Sequence, residues 1–316
     1  MEEFKNSEMS KKQTEKLMEL FDSQYPEAHK VAAWAISMVG EPAVPQALKA
    51  IPTRFSSPRN ERETSAIREI EWAINLIGDP AIPHLKEALN DENQIAASFA
   101  TRLLKEMDAI DVDSTIQVFE ASKKKIQEIV EPDIQQHVKV QQMGFLNDQL
   151  NELIESMANV ADENAVRTLS EIFTQIREQA IFMQEIPHQS RRDRPKASTL
   201  KDSLQYSVIR TLSEMGEPGV KQLIDITKGL NPSDRLDLNL LNNTIKLLSE
   251  NKSQQARDYL ISLLSTNSSD QIMQSVINSV RQGSNPEPLL IELLGHEKKM
   301  VQQLAVDALS WVKKNQ

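Results

Sequence analysis

The chain of 316 residues contains no cysteine. That absence removes disulfide bridges, thiolate nucleophiles and Cys-ligated zinc or iron–sulfur centres together. Glycine occurs only 8 times, phenylalanine 8 times and tryptophan 3 times. β-Sandwiches and dinucleotide-binding sheets draw on aromatic strands and glycine-rich turns, so this scarcity argues against both. No stretch of about eighteen consecutive apolar residues exists to span a bilayer. The opening MEEFKNSEMSKKQTEK is charged throughout and lacks the apolar run of a secretion signal, so the expectation is a soluble, cytoplasmic chain without membrane insertion. An excess of basic charge is missing too: 46 acidic side chains against 36 basic ones leave a net charge of −10. Such a field repels polyphosphate and disfavours nucleic acid as a partner.

What is abundant is Leu, Ile, Ala, Glu, Lys and Gln, the residues that favour helices. Self-similarity organises them. Trp34-Ala35-Ile36 leads to Val39-Gly40-Glu41-Pro42-Ala43-Val44-Pro45, and Trp72-Ala73-Ile74 leads to Ile77-Gly78-Asp79-Pro80-Ala81-Ile82-Pro83, an offset of 38 residues. A third copy runs from Val208-Ile209-Arg210-Thr211-Leu212 to Met215-Gly216-Glu217-Pro218-Gly219-Val220, about four periods of 34 to 35 residues further on. Weaker copies occur at Leu247–Asn251 and at Val276–Pro286.

The motif reads as two helices joined by a tight turn. Glycine after an apolar helix end suits a left-handed C′ position, the acid suits the positive start of the next helix, and proline suits a first turn that needs no N–H. The second prolines, Pro45 and Pro83, fall near the edge of that turn. After the second turn, Ile82, Leu85 and Leu89 form one apolar stripe, with His84, Lys86 and Glu87 elsewhere on the helix. A single narrow stripe makes no core until neighbouring hairpins stack on it.

These segments resemble HEAT repeats, particularly the short prokaryotic kind also found in phycobilin-lyase-related proteins. Tyr25 to Trp34 and Leu293 to Val301, followed by Ala305, Ala308 and Leu309, are similar to the family's opening helix, although its usual arginine after the valine is missing in both. The match covers roughly residues 22–108 and 200–312. The resemblance implies an all-α fold, a right-handed α-α superhelix built as a HEAT-like solenoid of roughly seven to eight helical hairpins. It also implies that second helices line a concave face.

Three segments follow: 1–112 as N-terminal HEAT-like repeats, 113–199 as an irregular helical middle region, and 200–316 as C-terminal repeats. In the middle, Ile116, Phe119, Ile126, Ile129 or Val130, Ile134 and Val138 trace one apolar pattern broken at Pro132. Leu146, Leu150, Leu153, Ile154 and Met157 trace another, and Asp162-Glu163-Asn164 resembles a degenerate repeat turn. The stretch 187–196, with Arg191, Arg192 and Arg194 between Pro187 and Pro195 and Lys196 just after, reads as a basic loop open to proteolysis.

Little in the sequence carries chemistry. His296-Glu297 is a single pair, whereas the iron-dependent HEAT-type hydroxylase needs several pairs facing one another. Glu185-x-x-His188 has the spacing of one di-iron half-site, without a second copy and with Pro187 inside it. No Gly-x-Ser-x-Gly elbow, Gly-x-Gly-x-x-Gly loop or Walker-type loop is present. The run Lys123-Lys124-Lys125 reads as a solvated helix face. Trp34 and Trp72, at equivalent positions, read as packing residues between hairpins, and Trp311 as part of a terminal cap.

No cofactor or metal is therefore expected, and the leading expectation is a non-catalytic scaffold or adaptor that binds protein partners on the concave face. The alternative implied by the resemblance is a bilin-lyase-like or other HEAT-based enzyme or chromophore-handling protein. Aligning the copies at Gly40, Gly78 and Gly216 places Gln46, His84 and Gln222 at one equivalent position and Lys49, Glu87 and Asp225 at another. These six form the expected contact ridge.

Overall fold

The computed structural model describes residues 16–23, 25–51, 61–130, 136–160, 162–183, 199–266, 269–283 and 286–315. Among them every long element is a helix and no β-strand occurs, so the described fold is all-α. The helices are α1 (Pro26–Val39), α2 (Val44–Lys49), α3 (Glu61–Ile77), α4 (Ile82–Ala88), α5 (Gln94–Glu106), α6 (Val112–Val130), α7 (Gln136–Val160) and α8 (Glu163–Glu178). They continue with α9 (Leu200–Glu214), α10 (Gly216–Lys228), α11 (Arg235–Glu250), α12 (Gln254–Thr266), α13 (Asp270–Gln282), α14 (Glu287–Leu293) and α15 (Lys299–Asn315).

The repeated turn folds as its residues dictate. Gly40 and Gly78 close α1 and α3 by donating to Ile36 and Ile74, and their carbonyls accept from Ala43 and Ala81 three residues on. That second bond winds Glu41–Ala43 and Asp79–Ala81 into single 3-10 turns, with Pro42 and Pro80 where no N–H is required. The glycines have φ of 78° and 70°, as expected, but ψ of −148° and −142°. This is not the left-handed helical C′ conformation. It is the mirror-extended region, which turns the chain more sharply and is open essentially to glycine alone. In the third copy Gly216 keeps a positive φ and begins α10 directly, without a separate 3-10 turn. There the small residue is Gly219, since a Cβ would meet the Leu212 carbonyl oxygen at 2.1 Å.

Two compact units make up the molecule, Met1–Ser156 with Ala180–Leu200, and Met157–Gln179 with Lys201–Gln316. In the first, α1 packs along α3 through Ala32, Ala33 and Ile36 against Ile70, Ala73 and Ile74, all fully buried. Behind them α2 and α4 lie side by side and α4 packs on α5. Leu85 and Leu89 are buried as their stripe requires, while Ile82 is half-buried. Phe182, in the short 3-10 helix Ala180–Met183, stacks on Phe119 of α6 with ring centroids 5.5 Å apart. In the second unit α11, α13 and α15 form one layer, and α8, α10 and α12 pack in succession in another. Leu146, Leu150, Leu153, Ile154 and Met157 of α7 are all buried. Asp162 caps α8 by accepting from the Ala165 N–H, the role expected of that degenerate turn.

Three expectations about side chains fail. Ile116 is exposed rather than part of the α6 stripe that Phe119, Ile126 and Ile129 form. Trp34 and Trp72 project into solvent, because the close α1–α3 packing is made by alanines and isoleucines on the opposite faces. The lysine run is only partly solvated: Lys123 lies over the Phe119 ring, and Lys125 is partly buried and donates to the Asp91 carbonyl at 3.0 Å. Burial pushes the Lys125 ammonium below its ordinary pKa, against the pull of Asp91 and Glu128. Pro132, Ile134, Glu185, His188 and the basic loop at 187–196 lie outside the described residues, as do the side chains of Val130 and Val138.

Candidate partner-binding surfaces

Gln46, His84 and Gln222 are each half-buried, and Lys49, Glu87 and Asp225 are each exposed. In the first unit α2 and α4 are neighbours, so Gln46 and Lys49 share a surface with His84 and Glu87. His84 reaches back to the preceding turn, with Nε2 3.6 Å from Glu41 and Nδ1 3.9 Å from Glu87. Its Nδ1 has no hydrogen-bond partner. Gln222 and Asp225 belong to the second unit. There Gln222 donates to the Ser170 hydroxyl at 2.7 Å, and Asp225 accepts from Lys228 at 2.9 Å. Burial, with the nearby Asp225 charge, pushes the Tyr259 phenol up to about 12 although Thr227 offers a hydrogen bond.

The structure also contains a feature the sequence reading missed. A cleft of about 330 Å³ opens between α3, α5 and α7, with Ile67, Ile95, Phe99 and Phe145 as apolar walls and Asp148, Glu152 and Glu155 along one side. On α7 these carboxylates recur at i, i+4 and i+7, so the helix period puts them on one face. Lys105 of α5 bridges Glu152 and Glu155. Burial alone would lower the Lys105 pKa, but the hydrogen bonds and charges of the two glutamates outweigh it and raise it. Arg102 lies over the Phe99 ring and pairs with Glu71 at 2.7 Å. Asp148 is exposed at the rim of the cleft, where partial desolvation by the cleft wall, and then the Glu152 charge, raises its carboxyl above the usual range in spite of a hydrogen bond from Asn147. A carboxylate crowded by a like charge gains from a cation brought into the cleft.

Two histidines, His29 and His296, are structural. His29 is buried, its Nε2–H donates to the Ser23 carbonyl at 2.9 Å, and its Nδ1 lies 3.3 Å from the Ser65 hydroxyl of α3. His296 is also buried. Its Nδ1 accepts from the Lys298 N–H at 3.1 Å, which leaves Nε2–H to pair with Ser265 at 2.9 Å. Both rings therefore spend their nitrogens on turns and helix contacts. Among the described residues no group of three His, Asp or Glu side chains could hold a metal ion, and no helix is long and apolar enough to cross a membrane. Trp311 packs under the Arg281 guanidinium, 4.8 Å from its ring centroid, on the last helix.

No family model and no curated protein matches the chain. Solved structures similar to it include a designed armadillo repeat protein, 14% identical, covering 73% of this chain and 99% of that one, with a TM-score of 0.25. A Kap121p mutant is 12% identical, with a TM-score of 0.34 over 94% of this chain, which spans 37% of that protein. An engineered protein is 15% identical, covering 96% of this chain and 97% of its own, with a TM-score of 0.23. Similarity at this level adds no argument about function, and the repeat assignment rests on the helix–turn–helix geometry described above.

Proposed function

We propose that the protein is a non-catalytic scaffold that holds a protein partner, and that the partner inserts a lysine or arginine side chain into the α3–α5–α7 cleft. The observation that supports this reading is the composition of the cleft. Its apolar walls suit the methylene stem of a long basic side chain, and Asp148, Glu152 and Glu155 suit its charged head. The second-helix residues Gln46, Lys49, His84 and Glu87, with Gln222 and Asp225 in the other unit, are proposed as further contacts, since solenoid interfaces spread along a ridge. An entirely acidic partner would be repelled by a chain of net charge −10.

Fluorescence anisotropy with two labelled peptides of equal length, one lysine-rich and one glutamate-rich, tests the reading. Only the lysine-rich peptide should bind, and Asp148→Asn should weaken it, because Asp148 is outside the Lys105 bridge and its loss leaves that bridge standing. Equal binding of both peptides, or of neither, refutes the cleft assignment. Charge reversal at Lys49, Glu87 and Asp225 together should weaken partner capture while leaving the melting curve nearly intact. A visible absorbance on the purified protein would instead favour the chromophore-handling alternative.

A further inference from the structure

A second cavity of the first unit, of about 640 Å³, opens between the turn that joins α4 to α5, the start of α5, the second half of α6 and the first turns of α7. Three amides, those of Asn90, Gln94 and Gln142, line it together with a lysine, Lys125, that stands apart from its neighbours. Lys123 pairs with Glu120 and Lys124 with Glu128. Among the described residues the Lys125 ammonium makes no such pair: it donates to the Asp91 carbonyl at 3.0 Å, and the charges of Asp91 and Glu128 act on it from further off. The helix period explains its place. Lys125 follows Ser122 by three residues and directly precedes Ile126, both fully buried, so its methylene stem is covered while its nitrogen reaches the turn before α5. That hydrogen bond faces solvent, so the nitrogen is open to a reagent entering the cavity. Burial of the side chain favours the neutral amine, the form whose lone pair attacks carbon.

We propose that Lys125 is a covalent attachment site that holds a small, uncharged hydroxyaldehyde as a Schiff base in this cavity. The nitrogen lone pair forms a bond to the carbonyl carbon. The C–O bond then breaks, and the oxygen leaves as water with both hydrogens of the neutral amine, so the step needs no oxidant or reductant.

The walls select the class of aldehyde. Glu92 and Glu128 offset Lys124 and Lys125, so the cavity draws neither an anion nor a cation. Its amides suit hydroxyl groups. Gln94 gives its NH2 to Gln149 at 2.6 Å and keeps its carbonyl oxygen as an acceptor, while Asn90 and Gln142 offer both donor and acceptor. Ala121 and Ile129 are its only apolar walls, too little to hold a hydrocarbon chain. The cavity shares no residue with the α3–α5–α7 cleft, so the failure of either reading leaves the other untouched.

Trapping of the imine measures it. The full chain is incubated with D-glyceraldehyde and sodium cyanoborohydride near neutral pH, and peptide mass spectrometry reads the reduced adduct at each lysine. Lys125 should carry at least about fivefold more adduct than Lys124, the next residue on the same helix. Labelling of Lys125 should saturate as glyceraldehyde is raised, whereas that of Lys124 should stay proportional to concentration. Propionaldehyde, which has the same chain length without hydroxyls, should need a higher concentration to label Lys125 equally. Unfolding in urea should abolish the preference for Lys125, because the cavity goes with the fold. Equal labelling of the two lysines, a proportional response at Lys125, equal use of the two aldehydes, or a preference that survives in urea overturns the proposal.

Discussion

Two glycines of the first unit, replaced by the same residue, should change stability in opposite directions. An ideal Cβ added at Gly78 or at Gly144 meets no atom within 4 Å, so neither Gly→Ala substitution creates a clash. What differs is the backbone. Gly78 sits at φ 70° and ψ −142°, where an L residue costs roughly 1–3 kcal/mol, while alanine recovers about 0.4–1 kcal/mol by restricting the unfolded chain. Gly78→Ala should therefore destabilise by about 0.5–2 kcal/mol. Gly144 lies inside α7 in helical conformation, where alanine is favoured by about 0.5–1 kcal/mol, so Gly144→Ala should stabilise by that amount. Urea unfolding followed by far-ultraviolet circular dichroism reads both as shifts of midpoint at constant slope. Shifts of the same sign, or an unshifted Gly78→Ala, would show that the turn does not hold its glycine in the mirror-extended region.

Leu85 is fully buried, so Leu85→Ala should cost about 2–5 kcal/mol in the same assay, whereas Glu87→Ala, exposed two residues later, should stay within about 0.5 kcal/mol. Asp148 should behave as a group placed for binding at the expense of stability. Its carboxyl is raised in the fold, so its penalty is absent below the unfolded carboxylate value and sets in as pH rises through the folded one. Asp148→Asn should thus melt higher than wild type at neutral pH, with the difference vanishing in acid, and an equal or lower melting temperature at pH 7 would contradict the assignment. Asp111 has the opposite sign. Burial alone would raise it, but hydrogen bonds from Lys86 and Ser114 hold it below the usual range, so its contribution is present above the unfolded value and lost as pH falls through the folded one. Lys86→Met should flatten that acid-side loss, and an unaltered pH profile would count against the pair.

The local grammar of the chain was legible in its residues. Apolar–Gly–acid–Pro–small–apolar specifies stop, turn and start through forces acting over a few bonds: Asp162, Leu85 and the α7 stripe took the places that grammar gave them, while Gly40 and Gly78 ended their helices with the expected positive φ but in the mirror-extended, not the left-handed helical, conformation. The equal exposure of Gln46, His84 and Gln222 likewise follows from repeat position alone. Tertiary structure decided whatever depends on which neighbour a helix face meets. Periodicity marks Trp34 and Trp72 as equivalent, but only the alanine-lined α1–α3 contact turned them outward. The Asp148–Glu152–Glu155 row is visible as helical spacing, yet it becomes the side of a cleft only because α5 brings Phe99, Arg102 and Lys105 against it. His296 could be a ligand or a brace, and the Lys298 N–H and Ser265 hydroxyl made it a brace. Sequence spacing fixes direction around one helix axis, whereas burial, pairing and a shifted pKa need a second surface at a distance of a few ångströms.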